Sequence, residues 1–270
     1  MRNLIFLASF LGLVNLFGCG DDAAEKPLSD STSVNGSQGL NPGQVSREIT
    51  KGNPAILRVL TYNIKGIPCL DPGTAKTLLA TVGVKKCPLT DDNYQRSNDA
   101  RFAAIVEKLK DLVKSGNGPD VVLIQEAFYS KNSMFTNQGV RSLPEKIGYP
   151  YFAWGPEGTV DNGFDDYTNL VKQDQRKLKG LLSSGLLVLS RYPILGKEMI
   201  LFGNDCAVED CISNKGAMLV RISAPSIGTV DILNTHVQAE APQAEIRKAQ
   251  FTKLAPWVKE KAGAAFVFLG

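Results

Sequence analysis

P-D-V-V-L-I-Q-E, Pro119 to Glu126, holds a four-residue apolar core, Val121–Ile124, with β-branched side chains at three of its four positions. An uninterrupted run of this kind is a strand buried on both faces, and it needs a packed layer on each side. The run stops at Gln125-Glu126, so a carboxylate stands where the strand ends.

Outward from this stretch, strands and helices alternate. Ile56–Ile64 is a strand by its alternation and β-branching. Phe102, Ile105, Val106, Leu109, Leu112 and Val113 recur at helical spacing, which predicts a helix over Asn98–Ser115 closed by Gly116. Gly185–Ser190, Gly216–Ile222 and Thr229–Thr235 read as three further strands, Pro242–Lys261 as a helix, and Ala265–Leu269 as a last buried strand. Tyr151, Phe152 and Trp154 read as strand core. Such a series indicates an α/β fold, either two packed sheets with outer helices or one wound sheet; periodicity does not choose between them.

The N-terminus has a different composition. Met1-Arg2 followed by apolar Leu4–Phe17 has the length of a secretory h-region and is too short for a membrane span. It closes on L-F-G-C, Leu16–Cys19, which resembles the bacterial lipobox. Residues 1–18 are therefore expected to be a lipoprotein signal peptide, with Cys19 as the lipidated residue. Residues 19–54 are rich in Ser, Gly, Asn, Pro and charge and lack aromatics, the composition of a flexible tether. A coil of that length reaches roughly 30 Å. Residues 55–270 suit one domain. The chain is then exported and membrane-anchored.

Lys+Arg number 30 and Asp+Glu 27, with no basic block, so composition gives no strong nucleic-acid signal. Beyond Cys19 there are four cysteines, an even number that suggests disulfides in an exported chain. Sequence neighbours favour Cys69–Cys87 and Cys206–Cys211. The first would close a loop worth roughly 3 kcal/mol in the chain-entropy model. A zinc site is the competing reading, but the C-x4-C spacing is loose and no histidine lies near.

Polar residues gather at strand ends: Asn63 in T-Y-N-I-K-G, Glu126 in L-I-Q-E, and Asn234 and His236 in L-N-T-H-V-Q-A-E. A strand-end carboxylate is well placed to hold a hard cation whose remaining positions are filled by substrate oxygens. A nearby histidine can donate to a phosphate or a leaving oxygen. Asp161, Asp165 and Asp166 lack EF-hand spacing and read as a solvated loop, as does the mixed-charge stretch Lys172–Lys179.

R-V-L-T-Y-N-I-K-G, P-D-V-V-L-I-Q-E, S-S-G-L-L-V-L-S-R-Y-P-I, S-N-K-G-A-M-L-V-R-I and N-T-H-V-Q-A-E resemble, in order and rough spacing, successive blocks of the endonuclease/exonuclease/phosphatase superfamily. T-H-V-Q-A-E is most similar to the secreted bacterial neutral sphingomyelinases, and S-N-K-G-A-M-L-V-R-I also resembles the inositol polyphosphate 5-phosphatases. The resemblance implies a four-layered α/β sandwich. It implies Glu126 as the Mg²⁺ ligand, Asn63 as support for the metal and phosphate site, and His236 as the contact to the scissile phosphate, with Asn234 on the substrate side. The implied chemistry is in-line attack of water on a phosphoester, with a phospholipid headgroup as the expected substrate. A nuclease, an inositol-polyphosphate-type phosphatase and a non-catalytic surface lipoprotein are the alternatives.

In that family the strand matching Ala265–Leu269 runs into Asp-x-Asn, and a later Asp-His pair serves the attacking water. The 270 residues stop before that Asp, and their one histidine is His236. The resemblance thus implies that the domain is incomplete at its C-terminal end, and that these residues alone are inactive.

Overall fold

The computed structural model describes residues 7–9, 13–18, 55–67, 92–129, 139–156, 182–225, 227–263 and 265–269. Cys19, the 19–54 segment, the expected Cys69–Cys87 pair, the Asp161–Asp166 cluster and Lys172–Lys179 lie outside the described residues.

Two sheets pack face to face. The first has the order β1-β2-β3-β4-β6-β5, with β1 Leu7–Ser9, β2 Leu13–Gly18, β3 Ala55–Asn63, β4 Val121–Gln125, β5 Tyr151–Trp154 and β6 Leu187–Ser190. Only β3 and β4 run parallel within it. The second has the order β10-β9-β8-β7, with β7 Ile194–Leu201, β8 Gly216–Ala224, β9 Gly228–Thr235 and β10 Phe266–Leu269. Its one parallel pair is β9 with β10. Strands β1 and β2 come from the segment read as an export signal. A chain cleaved before Cys19 lacks both, and its first sheet is then the four strands β3-β4-β6-β5.

The two-sided burial expected of β4 is met by two separate cores. Val121 and Leu123 face the second sheet, in a layer with Leu57, Val59, Val188, Met218, Val220 and Ile232. Val122 and Ile124 face the other way, toward Phe102, Ile105, Val106 and Leu109 of helix α1, Asp92–Lys114, and Leu143 and Ile147 of the short helix α2, Leu143–Ile147. A third apolar layer joins Leu219 and Leu233 of the second sheet, and Phe202 just after β7, to Leu254, Trp257 and Val258 of helix α3, Ala244–Lys261. The layering is helix, sheet, sheet, helix: a four-layered α/β sandwich. No helix among the described residues is long and apolar enough to cross a membrane.

Three expectations need correction. Helix α1 begins at Asp92 rather than Asn98, because its first turns carry polar residues with no apolar period to reveal them. Strand β7 was not expected: Gly196, Lys197 and Glu198 are poor strand formers, and pairing along β8 decides the conformation there. The last strand is not wholly buried. Val267 is 1% exposed, but Phe268 is 45% exposed at the edge of its sheet.

Candidate active site

Three strands deliver their C-terminal ends to one place. Asn63 closes β3, Glu126 follows β4, and His236 follows β9 in the opposite sheet. Asn63 Nδ2 donates to Glu126 Oε1 at 2.7 Å, and Asn63 Oδ1 accepts from the Lys65 backbone N–H at 2.9 Å. That orients the asparagine amide and, through it, the carboxylate. His236 Nε2 lies 3.7 Å from the same Oε1, too far for a hydrogen bond. Both side chains remain about one-fifth accessible, 20% for His236 and 18% for Glu126, so a ligand can reach them.

Glu126 sits in the left-handed region, at φ 56°, a conformation that costs a non-glycine residue about 1–2 kcal/mol. Two glycines make this possible. The Gly66 N–H donates to Glu126 O at 2.8 Å, so close that a Cβ on Gly66 would stand 2.5 Å from that oxygen. On the other side Gly185, at φ 71°, accepts from the Ala127 N–H at 2.8 Å; a Cβ there would reach 3.1 Å from the Glu126 Cα. The backbone turns sharply between these neighbours and points the carboxylate off the strand end.

Lys215 completes the electrostatics. It precedes β8, is 2% exposed, and donates to Val237 O at 3.0 Å while pairing with Asp210 Oδ2 at 3.0 Å. Burial pulls its pKa down, against the opposing pull of Asp210 and Glu126. The His236 pKa falls to about 4, first through burial and next through the Lys215 charge, with Glu126 and Asp210 opposing. The imidazole is therefore neutral near pH 7. Its Nδ1 has no hydrogen-bond partner among the described residues.

The loop carrying Asp210 is closed by a Cys206–Cys211 disulfide, with Cα atoms 5.2 Å apart. This is the pairing expected from sequence neighbours. Asp210 Oδ2 also accepts from the Ala239 N–H at 2.9 Å, so the bridged loop touches both Lys215 and the segment after His236.

Asn234, expected on the substrate side, faces the layer between the sheets and is fully buried. Its Oδ1 accepts from Gln125 Nε2 at 2.8 Å, and its Nδ2 donates to Ile124 O at 3.1 Å and Leu187 O at 3.2 Å. With those contacts made, the amide has nothing left for a phosphate. Lys215 and Asp210 escaped the sequence reading, although S-N-K-G places the lysine at the start of a buried strand.

No family model matches the sequence, and neither does any curated protein. The chain is similar to several solved structures. One is SmcL, at 18% identity and a TM-score of 0.46, with 76% of this chain and 58% of that one covered. Another is beta toxin from Staphylococcus aureus with bound magnesium ions, at 20% identity and 0.46, covering 75% and 59%. A third is sphingomyelinase C from Streptomyces griseocarneus, at 23% and 0.45, covering 76% and 59%. The chain thus spans less than two thirds of the length of each of these structures.

Among the described residues no group of three His, Cys, Asp or Glu comes together. What the site offers is the Glu126 carboxylate oriented by the Asn63 amide, with the Asp210 carboxylate taken up by Lys215. That set does not build a closed zinc cage, but it fits Mg²⁺, which keeps several waters and takes one or two carboxylates together with substrate phosphate oxygens.

Proposed function

We propose that this chain carries the metal- and phosphate-binding part of a Mg²⁺-dependent phosphoesterase, a sphingomyelinase-like phosphodiesterase exported and anchored through lipid on Cys19. The observation that supports this most is the meeting of Asn63, Glu126 and His236 from two sheets at one accessible strand-end site. The five sequence blocks that resemble the superfamily contain all three residues.

In this reading Glu126 holds Mg²⁺. Bound there, the metal neutralises charge developing on phosphoryl and leaving-group oxygens. Asn63 fixes the carboxylate. Neutral His236 presents an N–H to a phosphate oxygen, so the phosphate gains a hydrogen bond that is in place before reaction. Buried Lys215 adds positive potential beneath the phosphate position. Strand β10 pairs Leu269 with Asn234 in parallel, so its C-terminal end points to the same end of the sandwich. In the resembled family the residues that activate water follow there.

The test is turnover by the full-length gene product. It should release phosphocholine from sphingomyelin with Mg²⁺ and lose that activity on chelation. Glu126→Gln should lower turnover by about 10²–10³-fold, the scale of removing one electrostatic contact in the transition state. Cleavage of plasmid DNA, or phosphate release from inositol phosphates, in place of phosphocholine release would move the assignment within the superfamily. Failure on all three substrates would leave a binding module. Labelled palmitate should enter the wild type and not Cys19→Ser.

A further inference from the structure

The segment after His236 has an unusual keeper. Arg247, on the first turn of α3, points its guanidinium at four consecutive backbone carbonyls. Nη1 donates to Gln238 O at 3.2 Å, Ala239 O at 3.2 Å and Glu240 O at 2.5 Å, and Nη2 donates to Ala241 O at 3.0 Å. Four carbonyl dipoles converging on one point repel each other unless a cation sits there. Glu240 holds φ 66° and ψ 128°, a conformation a non-glycine residue does not adopt unaided. Gln250, one turn further on, accepts from the Gln238 N–H at 2.8 Å and donates to Asp205 O at 2.7 Å.

This curled segment is continuous with the site. Val237 O receives Lys215 Nζ, the Ala239 N–H reaches Asp210, and His236 is the residue before Val237. The disulfide loop grips the Gln238 side chain and the Ala239 N–H, and Lys215 takes Val237 O, but none of these contacts reaches the four carbonyls from Gln238 to Ala241. The guanidinium does, three of them through Nη1 and the fourth through Nη2, two nitrogens in one plane where a lysine would offer one.

We propose that Arg247 is a positioning residue for the reaction: it clamps Gln238–Ala241 and so fixes where His236 and Val237 stand relative to Glu126 and Lys215. The inference rests on the phosphoesterase reading of the site but is testable apart from it, because His236 is the chain's one histidine.

The experiment uses full-length protein with Arg247→Ala and Arg247→Lys, each checked for folding by near-ultraviolet circular dichroism. Turnover of sphingomyelin in Arg247→Ala should fall in kcat by about 10²-fold, the scale of an ångström-level misplacement, with KM little changed. Ethylguanidinium in the buffer should restore much of it, since Arg247 is only half-buried and its place is open to solvent. Arg247→Lys should remain impaired. Independently of activity, diethylpyrocarbonate should modify His236 several-fold faster in both variants than in the wild type. Normal kcat in a folded Arg247→Ala, or loss of stability without rescue by ethylguanidinium, would overturn the proposal. If the wild type turns over none of the phosphoesters, the functional reading fails by itself. His236 reactivity then decides the clamp, and equal rates in wild type and variants would reject it.

Discussion

Gln125 Nε2 donates to Asn234 Oδ1 at 2.8 Å across the gap between the two sheets. Gln125 immediately precedes Glu126, and Asn234 lies two residues before His236. One buried amide pair therefore sets the separation of strand ends that belong to different sheets. Thr61, on β3 below Asn63, joins the same cluster through Gln125 Nε2 at 3.0 Å. The site's three residues stand on a floor of uncharged hydrogen bonds that is buried at Gln125 and Asn234 and partly accessible at Thr61.

Removing that floor should cost stability. Asn234→Ala leaves Ile124 O, Leu187 O and Gln125 Nε2 without their partner in a fully buried layer. Each such group costs about 1–3 kcal/mol, so a loss of about 3 kcal/mol or more is expected in urea denaturation. Asn234→Asp should be no milder, because it buries a charge beside two carbonyl oxygens. A variant as stable as wild type that fails only in substrate affinity would restore the substrate-side role for Asn234.

Gly66→Ala tests the turn at Glu126. The added Cβ would meet Glu126 O at 2.5 Å and Phe102 Cζ at 3.2 Å, and the first of these atoms is backbone. The end of β4 must move, and Glu126 moves with it. Turnover should drop by about 10²-fold while the cores on both sides of the sheet persist. Near-ultraviolet circular dichroism separates this from unfolding, and the Mg²⁺ concentration needed for activity should rise.

His236 should make stability depend on pH in a stated direction. Its folded pKa of about 4 lies below the ordinary 6.5, so the unfolded chain takes up the proton first as pH falls. Above 6.5 neither state is protonated and stability is whole. Between 6.5 and about 4 the unfolded state binds more protons, so stability declines with falling pH. Denaturation in chelator near neutrality and at about pH 5 should show the decline. His236→Gln should flatten this part of the profile, and an equal slope in both proteins would assign it to other groups.

The Cys206–Cys211 bridge closes a short loop, and its removal should cost about 2 kcal/mol by the loop-entropy relation. It should also loosen Asp210 from Lys215 and the Ala239 N–H. Denaturation midpoints with and without dithiothreitol measure the first effect. Cys206→Ser with Cys211→Ser should reproduce the reduced protein.

The sequence by itself determined the α/β class and the order of most of its elements, while the choice of two packed sheets rested on the resemblance of its five blocks. Val121–Ile124 could only be a strand covered on both sides, because every side chain in it is apolar and alternate ones must point to opposite faces. The helical spacing from Phe102 to Val113 did the same for α1, and the strand-end positions of Asn63, Glu126 and His236 were legible as positions. What they face was not. Asn234 and His236 share one strand parity, so what separates buried Asn234 from accessible His236 is that β9 ends at Thr235 and that its last residues pack on a sheet whose Gln125 lies 109 residues away. Lys215, Asp210 and Arg247 gained their places from contacts 5 to 29 residues distant, between elements whose approach no local pattern encodes. Periodicity reports which face of an element is buried; only the packing of one element on another decides which polar groups meet, because that depends on the distances between chain segments and not on either segment alone.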